Sequence, residues 1–329
     1  MTTSVALCTY NGERYIREQL QSICNQSLPI DEVVIGDDGS SDNSINIINS
    51  YKDKLPLRIL DSSQHQGGIK NFLRTISECQ GDIIFLSDQD DIWLPDKVET
   101  IIQYFDTHSQ VDALFTDATL IDSEGKPLKG TCTLWDYFFD EISRKRCEMG
   151  LMIEEFSSST HATGATMAFR KSLTSRFPNR NNMWHDDMIA RLAVSSHSLA
   201  YLPKCLTQYR IHSSQQIGIS PCKSDNEHKR DYRQPEMPFS IADLFLTNED
   251  DIKHIEFLQF RCRTKHQAFG WINAIVHLSS YKRFYNNHAF AFAMYDIRSS
   301  IKHTTERIER KVMPFFLRTK ALVDKGKTT

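Results

Sequence analysis

The chain has 329 residues, of which 40% are hydrophobic and 25% are charged, and its formal net charge is −3. This is the composition of an ordinary globular protein, long enough to bury an ample core without disulfides or a structural metal. The eight cysteines are scattered without a C-x-x-C pair, which argues against a zinc site or a disulfide framework, and no apolar stretch approaches the roughly 20 residues that span a bilayer.

The scattered cysteines fit a reducing compartment. Residues 1–8 lack the charged and apolar regions of a secretory signal. We therefore expect a cytoplasmic protein.

The first 120 residues alternate β-branched runs with helical periodicity, which is typical of a parallel sheet with crossover helices. The predicted strands are residues 5–9, 32–36, 57–60, 83–87 and 113–116. Apolar residues at i, i+3, i+4 and i+7 predict one helix over residues 69–76 and another over residues 98–105. Residues 134–155 are predicted to be helical or irregular, and residues 165–169 to form a further strand. The pattern predicts an α/β domain over residues 1–220.

The remainder of the chain has a different character. Residues 221–239 are polar and are predicted to form a loop or linker, and residues 240–329 show amphipathic helical stretches without a strand signal. Residues 251–329 carry 15 Lys and Arg against 6 Asp and Glu, whereas the whole chain has 39 against 42. This basic helical region is compatible with a solvated face of a packing domain and equally with a patch that docks on anionic lipid headgroups at the inner face of a membrane.

Three predicted strands of the first domain end in polar loops. The loops are residues 9–12 (TYNG), 37–42 (DDGSSD) and 87–91 (SDQDD). In open parallel sheets, ligands bind beyond the carboxyl ends of the strands, so we expect these loops to converge on one rim.

The loop after the fourth strand places Asp88, Asp90 and Asp91 on a tight turn. Mutual repulsion of these carboxylates is costly unless a cation lies between them, and hard oxygen ligands favour Mg²⁺ or Mn²⁺. A solvated acidic turn is the alternative interpretation. For Asp37 and Asp38 the alternative is a turn followed by a helix N-cap.

These loops together resemble the motifs of a known enzyme family. Residues 5–12 (VALCTYNG), 37–42, 66–68 (QGG) and 85–91 (FLSDQDD) resemble, in order and spacing, the motifs of family 2 glycosyltransferases with the GT-A fold. Residues 184–186 (WHD) and 209–212 (YRIH) are similar to motifs of the bacterial rhamnosyltransferase-like branch of that family. The resemblance implies a mostly parallel sheet flanked by helices, followed here by the helical C-terminal region.

The resemblance also implies roles for individual residues. Asp186 matches the family's general base. Asp88, Asp90 and His212 would hold Mn²⁺ or Mg²⁺, with Asp91 supporting them. The residues expected at the nucleotide and donor are Thr9, Tyr10, Asn11, Asp38, Lys70, Asn71, Asp88 and Gln89. His161, Trp184 and His185 are expected on the acceptor side, although each could equally serve ordinary packing.

The implied reaction is transfer of a single sugar from a nucleotide-diphosphate donor to an acceptor hydroxyl, with inversion, in bacterial surface polysaccharide or glycan synthesis. The acceptor would be a glycan or a lipid-linked molecule. The Q-x-x-R-W motif of processive synthases is absent from the sequence. The donor sugar stays open between rhamnose on thymidine diphosphate and another hexose on uridine diphosphate.

Competing interpretations are a degenerate transferase that binds nucleotide sugar without turnover and a phosphatase that uses D-x-D as its nucleophile motif. The phosphatase motif normally follows the first strand, whereas here it follows the fourth. A dehydrogenase is disfavoured because no G-x-G-x-x-G follows the first strand. No nucleic-acid-binding motif is present, so no nucleic-acid partner is expected.

Overall fold

The computed structural model describes residues 1–60, 65–128, 133–139, 144, 147–148, 152, 156, 162–178 and 183–215. All of them belong to one compact unit of the chain. The predicted linker over residues 221–239 and the predicted helical region over residues 240–329 lie outside the described residues. Among the described residues, no helix is long and apolar enough to cross a membrane.

The elements alternate between strands and helices. The strands are β1 (Thr3–Thr9), β2 (Glu32–Asp37), β3 (Leu57–Leu60), β4 (Ile83–Ser87), β5 (Ile92–Trp93), β6 (Ala113–Ile121), β7 (Met167–Arg170) and β8 (Leu199–Arg210). The helices are α1 (Ile16–Cys24), α2 (Ser44–Asn49), α3 (Gly68–Glu78), α4 (Lys97–Thr107), α5 (Leu134–Phe138) and α6 (His185–Ser195). Short 3₁₀ turns cover Gly164–Thr166 and Lys171–Arg176.

The eight strands form one sheet in the order β3-β2-β1-β4-β7-β6-β8-β5. Strands β1 to β4 are parallel, as predicted, and so are β6 and β8. Strand β7 is antiparallel to both β4 and β6, and β5 is antiparallel to β8. The sheet is therefore mixed, with a parallel half that carries the loops predicted to bind ligand.

Helices cover both faces of the parallel half. Leu7 of β1 packs into a core with residues of α1, α2 and α4, whereas its neighbours Ala6 and Cys8 pack on the opposite face with residues of α3 and α6. This alternation follows from the two-residue period of a strand. Because both faces are buried, every residue of β1 is buried.

Most predicted elements of the first 120 residues are present. The two predicted helices lie within α3 and α4, and the five predicted strands match β1, β2, β3, β4 and the first half of β6. The predicted strand over residues 165–169 begins late, because residues 164–166 form a 3₁₀ turn before β7. The twelve-residue strand β8 was not predicted, and it is the strand that leads to His212.

Strands β6 and β8 do not pair in a constant register. Thr116 lies opposite Leu202, but Asp117 lies opposite Cys205 and Ala118 opposite Thr207. Strand β8 therefore contains additional residues at this point, which form a β-bulge.

Candidate active site

The loop between β4 and β5 carries three carboxylates at the carboxyl end of the sheet. Asp88 is partly exposed. Loss of water around its carboxylate is the main cause, and the charges of Asp90 and Asp186 the next, of a rise in the pKa of Asp88 to about 7. The charges of Asp90 and Asp186 therefore act on Asp88 from the same loop and from α6.

Asp90 is paired with the histidine that follows β8. Its Oδ2 lies 2.9 Å from Nε2 of His212, and the other ring nitrogen of His212 lies 2.8 Å from Oγ of Ser214. The His212 ring also packs against Tyr15, with ring centroids 4.7 Å apart. Both ring nitrogens are therefore oriented, and the imidazole is held beside the acidic loop.

Arg210 fixes the main chain of this loop. Its backbone N–H donates to Oδ1 of the buried Asp91 at 3.0 Å, and its Nε donates to the carbonyl of Asp90 at 2.7 Å. Nη2 of Arg210 lies 2.6 Å from a carboxylate oxygen of Glu18, and the guanidinium stacks 4.6 Å above the ring of Tyr15. Arg210 thus holds the loop without using the carboxylates of Asp88 and Asp90.

Asp186 lies in the first turn of α6. Its Oδ1 accepts a hydrogen bond from the N–H of Asp187 at 2.9 Å, and its Oδ2 accepts one from the N–H of Gly164 at 3.1 Å. The side chain remains partly exposed. The carboxylate is therefore oriented by two backbone donors while still reaching the rim.

The two residues before Asp186 differ in their surroundings. Trp184 is 39% exposed, and its indole lies against Gly68 at the start of α3. His185 is buried and stacks on Phe72 with centroids 3.8 Å apart, and burial lowers its pKa. Neither ring nitrogen of His185 has a hydrogen-bond partner in the described part of the chain. Only Trp184 is open to a ligand from solvent.

Thr9 and Gln89 connect the loop after β1 to the acidic loop. Oγ1 of Thr9 donates to Oε1 of Gln89 at 2.7 Å, and the same oxygen accepts the N–H of Tyr10 at 2.9 Å. Thr9 is almost fully buried. In this arrangement Thr9 and Gln89 act on each other and set the relative position of the two loops.

Asp38 holds the segment that begins α3. Its carboxylate accepts the backbone N–H groups of Gln66 and Gly67 at 2.7 and 2.9 Å and pairs with Nδ1 of His65 at 2.9 Å. The His65 ring in turn lies 4.4 Å from that of Tyr10. Asp38 is only 3% exposed, so the polar and aromatic surface offered at this corner comes from Tyr10 and His65.

Asn11 joins the loops after β1 and β2. It adopts a left-handed backbone conformation (φ 48°), its N–H donates to Oγ of Ser40 at 2.9 Å, and its Oδ1 accepts the N–H of Ser41 at 2.8 Å. Asparagine tolerates this conformation better than most residues. The side chain is thus engaged in shaping the rim.

Lys70 and Asn71 lie on α3 but face different surroundings. Lys70 is exposed, whereas Asn71 is buried and donates from Nδ2 to the carbonyl of Gly36 at 2.7 Å. Asn71 therefore attaches α3 to β2. His161, predicted on the acceptor side, lies outside the described residues.

Comparison with known protein families identifies the family of this chain. The family model described as "Glycosyl transferase family 2" matches residues 4–177, more than half of the chain. The chain belongs to glycosyl transferase family 2. The predictions of a transferase and of a GT-A fold are thereby confirmed.

This transferase has relatives of several kinds. It is 24% identical to an uncharacterized glycosyltransferase of Nostoc over 70% of this chain and 71% of that protein. It is 42% identical to the dTDP-rhamnosyl transferase RfbG of Shigella flexneri over 29% of this chain and 35% of that protein. The crystal structure of S. aureus TarS in complex with UDP-GlcNAc shares its fold, with a TM-score of 0.50 and 21% identity over 65% of this chain and 60% of the TarS chain.

Whether a divalent cation fits the rim of the transferase depends on the ligand atoms that the side chains offer there. The carboxylates of Asp88 and Asp90 are oxygen ligands that suit both Mn²⁺ and Mg²⁺, whereas the imidazole of His212 suits Mn²⁺ better than Mg²⁺. However, within the described ranges no three His, Cys, Asp or Glu side chains are already placed to hold a metal ion. The three predicted ligands therefore do not form a ready-made site, because His212 is hydrogen-bonded to Asp90. Desolvation and then the charges of Asp90 and Asp186 raise the pKa of Asp88, and a cation would offset both effects, so the carboxylates fit a cation that a further ligand completes.

Three residues near the rim were not predicted to take part. They are His65, Lys97 and Arg210. The sequence gives a weak signal for Arg210, a charged residue within an otherwise strand-like run, and none for His65. Lys97 looks like a solvent-exposed lysine at a helix start, yet it is completely buried.

Proposed function

We propose that this transferase moves one sugar from a nucleoside diphosphate donor to an acceptor hydroxyl, with inversion at the anomeric carbon and with a divalent cation bound. The observation that carries the proposal is that two backbone donors orient the carboxylate of Asp186 on the first turn of α6, in a chain whose acidic loop holds His212 against Asp90. The charge of Asp186 also raises the pKa of Asp88 on that loop.

On the donor side, Asp88, Asp90 and His212 would hold Mn²⁺ or Mg²⁺. The cation, when bound, supplies positive charge that stabilises the diphosphate as it leaves. The protein contributes a loop whose main chain is fixed by Arg210 and a histidine whose ring is oriented by Ser214. Such preorganisation reduces the cost of assembling the charged donor complex.

On the acceptor side, Asp186 would act as the general base. Its carboxylate takes the proton of the acceptor hydroxyl while that oxygen bonds to the anomeric carbon and the bond from this carbon to the diphosphate oxygen breaks. Since the acceptor enters from the face opposite the leaving group, one displacement inverts the configuration. The hydrogen bonds from Gly164 and Asp187 hold the carboxylate in one orientation for this step.

The donor class follows from the relatives by analogy. The Shigella relative is named a dTDP-rhamnosyl transferase, and TarS was crystallised with UDP-GlcNAc. We propose a pyrimidine nucleoside diphosphate sugar, with dTDP-rhamnose and a UDP-linked hexose as the two candidates. The Tyr10–His65 pair beside Asp38, whose ring planes are tilted by 36°, offers aromatic surface for the base.

The proposed acceptor is a glycan or a lipid-linked saccharide, with Trp184 beside it. We place the reaction in bacterial surface polysaccharide synthesis at the cytoplasmic side, where the basic region over residues 251–329 would contact anionic lipid.

A first experiment measures thermal stabilisation of the full chain by UDP, dTDP, GDP and ADP, each with and without Mn²⁺. A ligand at about 100 times its Kd, bound only to the folded state, adds roughly 2.7 kcal/mol. Selective stabilisation by UDP or dTDP that requires Mn²⁺ is expected. No stabilisation by any nucleotide would contradict the proposal, and metal-dependent binding without transfer to any acceptor or to water would favour a degenerate nucleotide-sugar-binding protein.

A further inference from the structure

Lys97, the first residue of α4, is completely buried below the acidic loop. Its ammonium donates to the carbonyl of Ala165 at 2.9 Å and to Oγ1 of Thr207 at 2.8 Å, and it lies 4.2 Å from the ring centroid of Trp93. Ala165 belongs to the 3₁₀ turn before β7, Thr207 belongs to β8 and Trp93 belongs to β5. One side chain therefore connects three elements that surround the rim.

Connecting these three elements with a buried ammonium carries a large desolvation cost. Desolvation opposes its charged form, and burial lowers the pKa of Lys97 to about 7 although the charges of Asp91 and Asp88 act in the opposite direction. An apolar side chain of similar volume would fill the space without that cost. The ammonium is thus explained by the geometry that its hydrogen bonds impose.

The hydrogen bond from Lys97 to Ala165 connects this lysine indirectly to Asp186. The carbonyl held by Lys97 belongs to Ala165, the middle residue of the turn Gly164–Thr166, and the N–H of Gly164 in this turn donates to Oδ2 of Asp186. The turn has little room to move, since a Cβ on Gly164 would lie 3.1 Å from Nε2 of His185. A shift of the turn would redirect the Gly164 N–H and release one oxygen of the Asp186 carboxylate.

We propose that Lys97 is a positioning residue for sugar transfer: through Ala165 it fixes the turn that orients the carboxylate of Asp186. The inference rests on the proposed role of Asp186 as the base. It assigns to Lys97 an effect on the transfer step that exceeds its effect on nucleotide affinity, because its hydrogen bonds go to the turn and to β8, whereas only its charge acts on Asp88 and Asp91.

The test compares Lys97→Met and Thr207→Val with the wild type, with Lys52→Met as the matched control at an exposed lysine. Thr207→Val removes one acceptor of the ammonium and the weaker 3.4 Å hydrogen bond from Oγ1 of Thr207 to the Ala165 carbonyl, and it keeps the side-chain shape. Two quantities are measured for each: the Kd of UDP and of dTDP with Mn²⁺ by calorimetry, and the first-order rate of hydrolysis of bound UDP-GlcNAc or dTDP-rhamnose, in which water replaces the acceptor. Asp186→Asn is the reference for loss of the base.

We expect Lys97→Met to lower the rate about 10- to 100-fold, since displacements of about 1 Å carry costs of that order. Thr207→Val should lower it about 3- to 10-fold, in line with the loss of these hydrogen bonds while the ammonium keeps its bond to Ala165. The nucleotide Kd should stay within about twofold in Thr207→Val and should change much less than the rate in Lys97→Met, and Lys52→Met should match the wild type. If Lys97→Met does not fold, Thr207→Val decides the question.

Two outcomes would overturn the inference alone, provided that Asp186→Asn is inactive. One is a wild-type rate in Thr207→Val and Lys97→Met, and the other is a parallel loss of rate and nucleotide affinity, which would indicate general support of the fold. Normal turnover by Asp186→Asn would instead remove the base assignment, and with it the inference.

Discussion

Nε2 of His212 lies 2.9 Å from Oδ2 of Asp90, although 122 positions separate the two residues in the chain. Strand β8 brings them together, because it ends beside the acidic loop that follows β4. We expect His212→Ala and Asp90→Asn each to abolish the part of nucleotide binding that depends on Mn²⁺. Ser214→Ala should weaken Mn²⁺ affinity only about 10-fold, since it frees the His212 ring but removes no ligand.

Titration of each variant with Mn²⁺ at a fixed concentration of UDP or dTDP, followed by the melting temperature, measures these effects. Ser123→Ala, in a turn whose side chain is not part of the proposed site, serves as the control. Unchanged Mn²⁺ dependence in His212→Ala would show that the histidine is not a ligand.

Asp186→Asn tests the base separately from the donor site. The amide keeps the size of the side chain but cannot accept the proton of the acceptor, so transfer should fall by at least about 100-fold. Nucleotide affinity with Mn²⁺ should be retained or slightly increased, because one negative charge near Asp88 is lost. Calorimetry and a transfer or hydrolysis assay on the same preparation give both numbers. Normal transfer would assign the base to another residue.

Asp88 predicts a pH dependence of the metal-free protein. Its pKa is about 7 in the folded state and about 4 in an unfolded chain. Between these values the folded state retains a proton that the unfolded chain has lost, so this group's contribution to stability falls as pH rises from about 4 to about 7. Urea unfolding in EDTA should show wild type losing stability relative to Asp88→Asn over this range, with a constant difference above it. Parallel curves from pH 4.5 to 8 would contradict the assignment.

Gly12→Ala should disturb the rim through a steric contact. A Cβ at this position would lie 2.3 Å from Oε1 of Gln89 and 2.8 Å from Oγ1 of Thr9, the two atoms that hydrogen-bond to each other. We expect a loss of about 1–3 kcal/mol in the free energy of unfolding and a weaker affinity for UDP or dTDP. Chemical denaturation and calorimetry measure the two. A variant with unchanged nucleotide affinity would mean that the Thr9–Gln89 link does not support the donor site.

Trp184 predicts a selective effect on the acceptor. Trp184→Ala should raise the acceptor KM about 10-fold and change the nucleotide Kd much less, because the exposed indole stands two positions before Asp186 and packs against Gly68 at the start of α3. Trp184→Phe should retain much of the affinity if an aromatic face is what the acceptor contacts. A change in nucleotide Kd alone would place Trp184 on the donor side.

The sequence was sufficient for the elements with a clear period. Strands β1 to β4 are apolar runs bounded by turn residues, and α3 and α4 have regular apolar stripes, so local pattern and tertiary structure agree. Strand β8 was missed because its middle contains Pro203 and Lys204 and is only partly buried, which conceals the strand period. Its pairing with β6 is a long-range contact that no local pattern encodes.

At the site, the sequence indicated which loops meet but not how each side chain is used. Asp38 and Asn71 have polar side chains at the predicted rim, yet both are occupied by bonds that hold α3 in place. For Lys97 the expectation fails in the opposite direction. A lysine at a helix start is usually solvated, whereas Lys97 is buried and hydrogen-bonded inside the fold. Such roles depend on which backbone groups are left without partners after folding, and that is a property of the three-dimensional arrangement.

The β-bulge between β6 and β8 determines the register in which the rest of β8 pairs with β6. Beyond the bulge, Thr207 to Arg210 pair one to one with Ala118 to Ile121, so a one-residue shift of this pairing would turn Arg210 to the opposite face of the sheet. The contact between His212 and Asp90 thus depends on a register that is set several residues earlier in β8. Length changes in this short stretch should therefore be far more damaging to the enzyme than most substitutions within it.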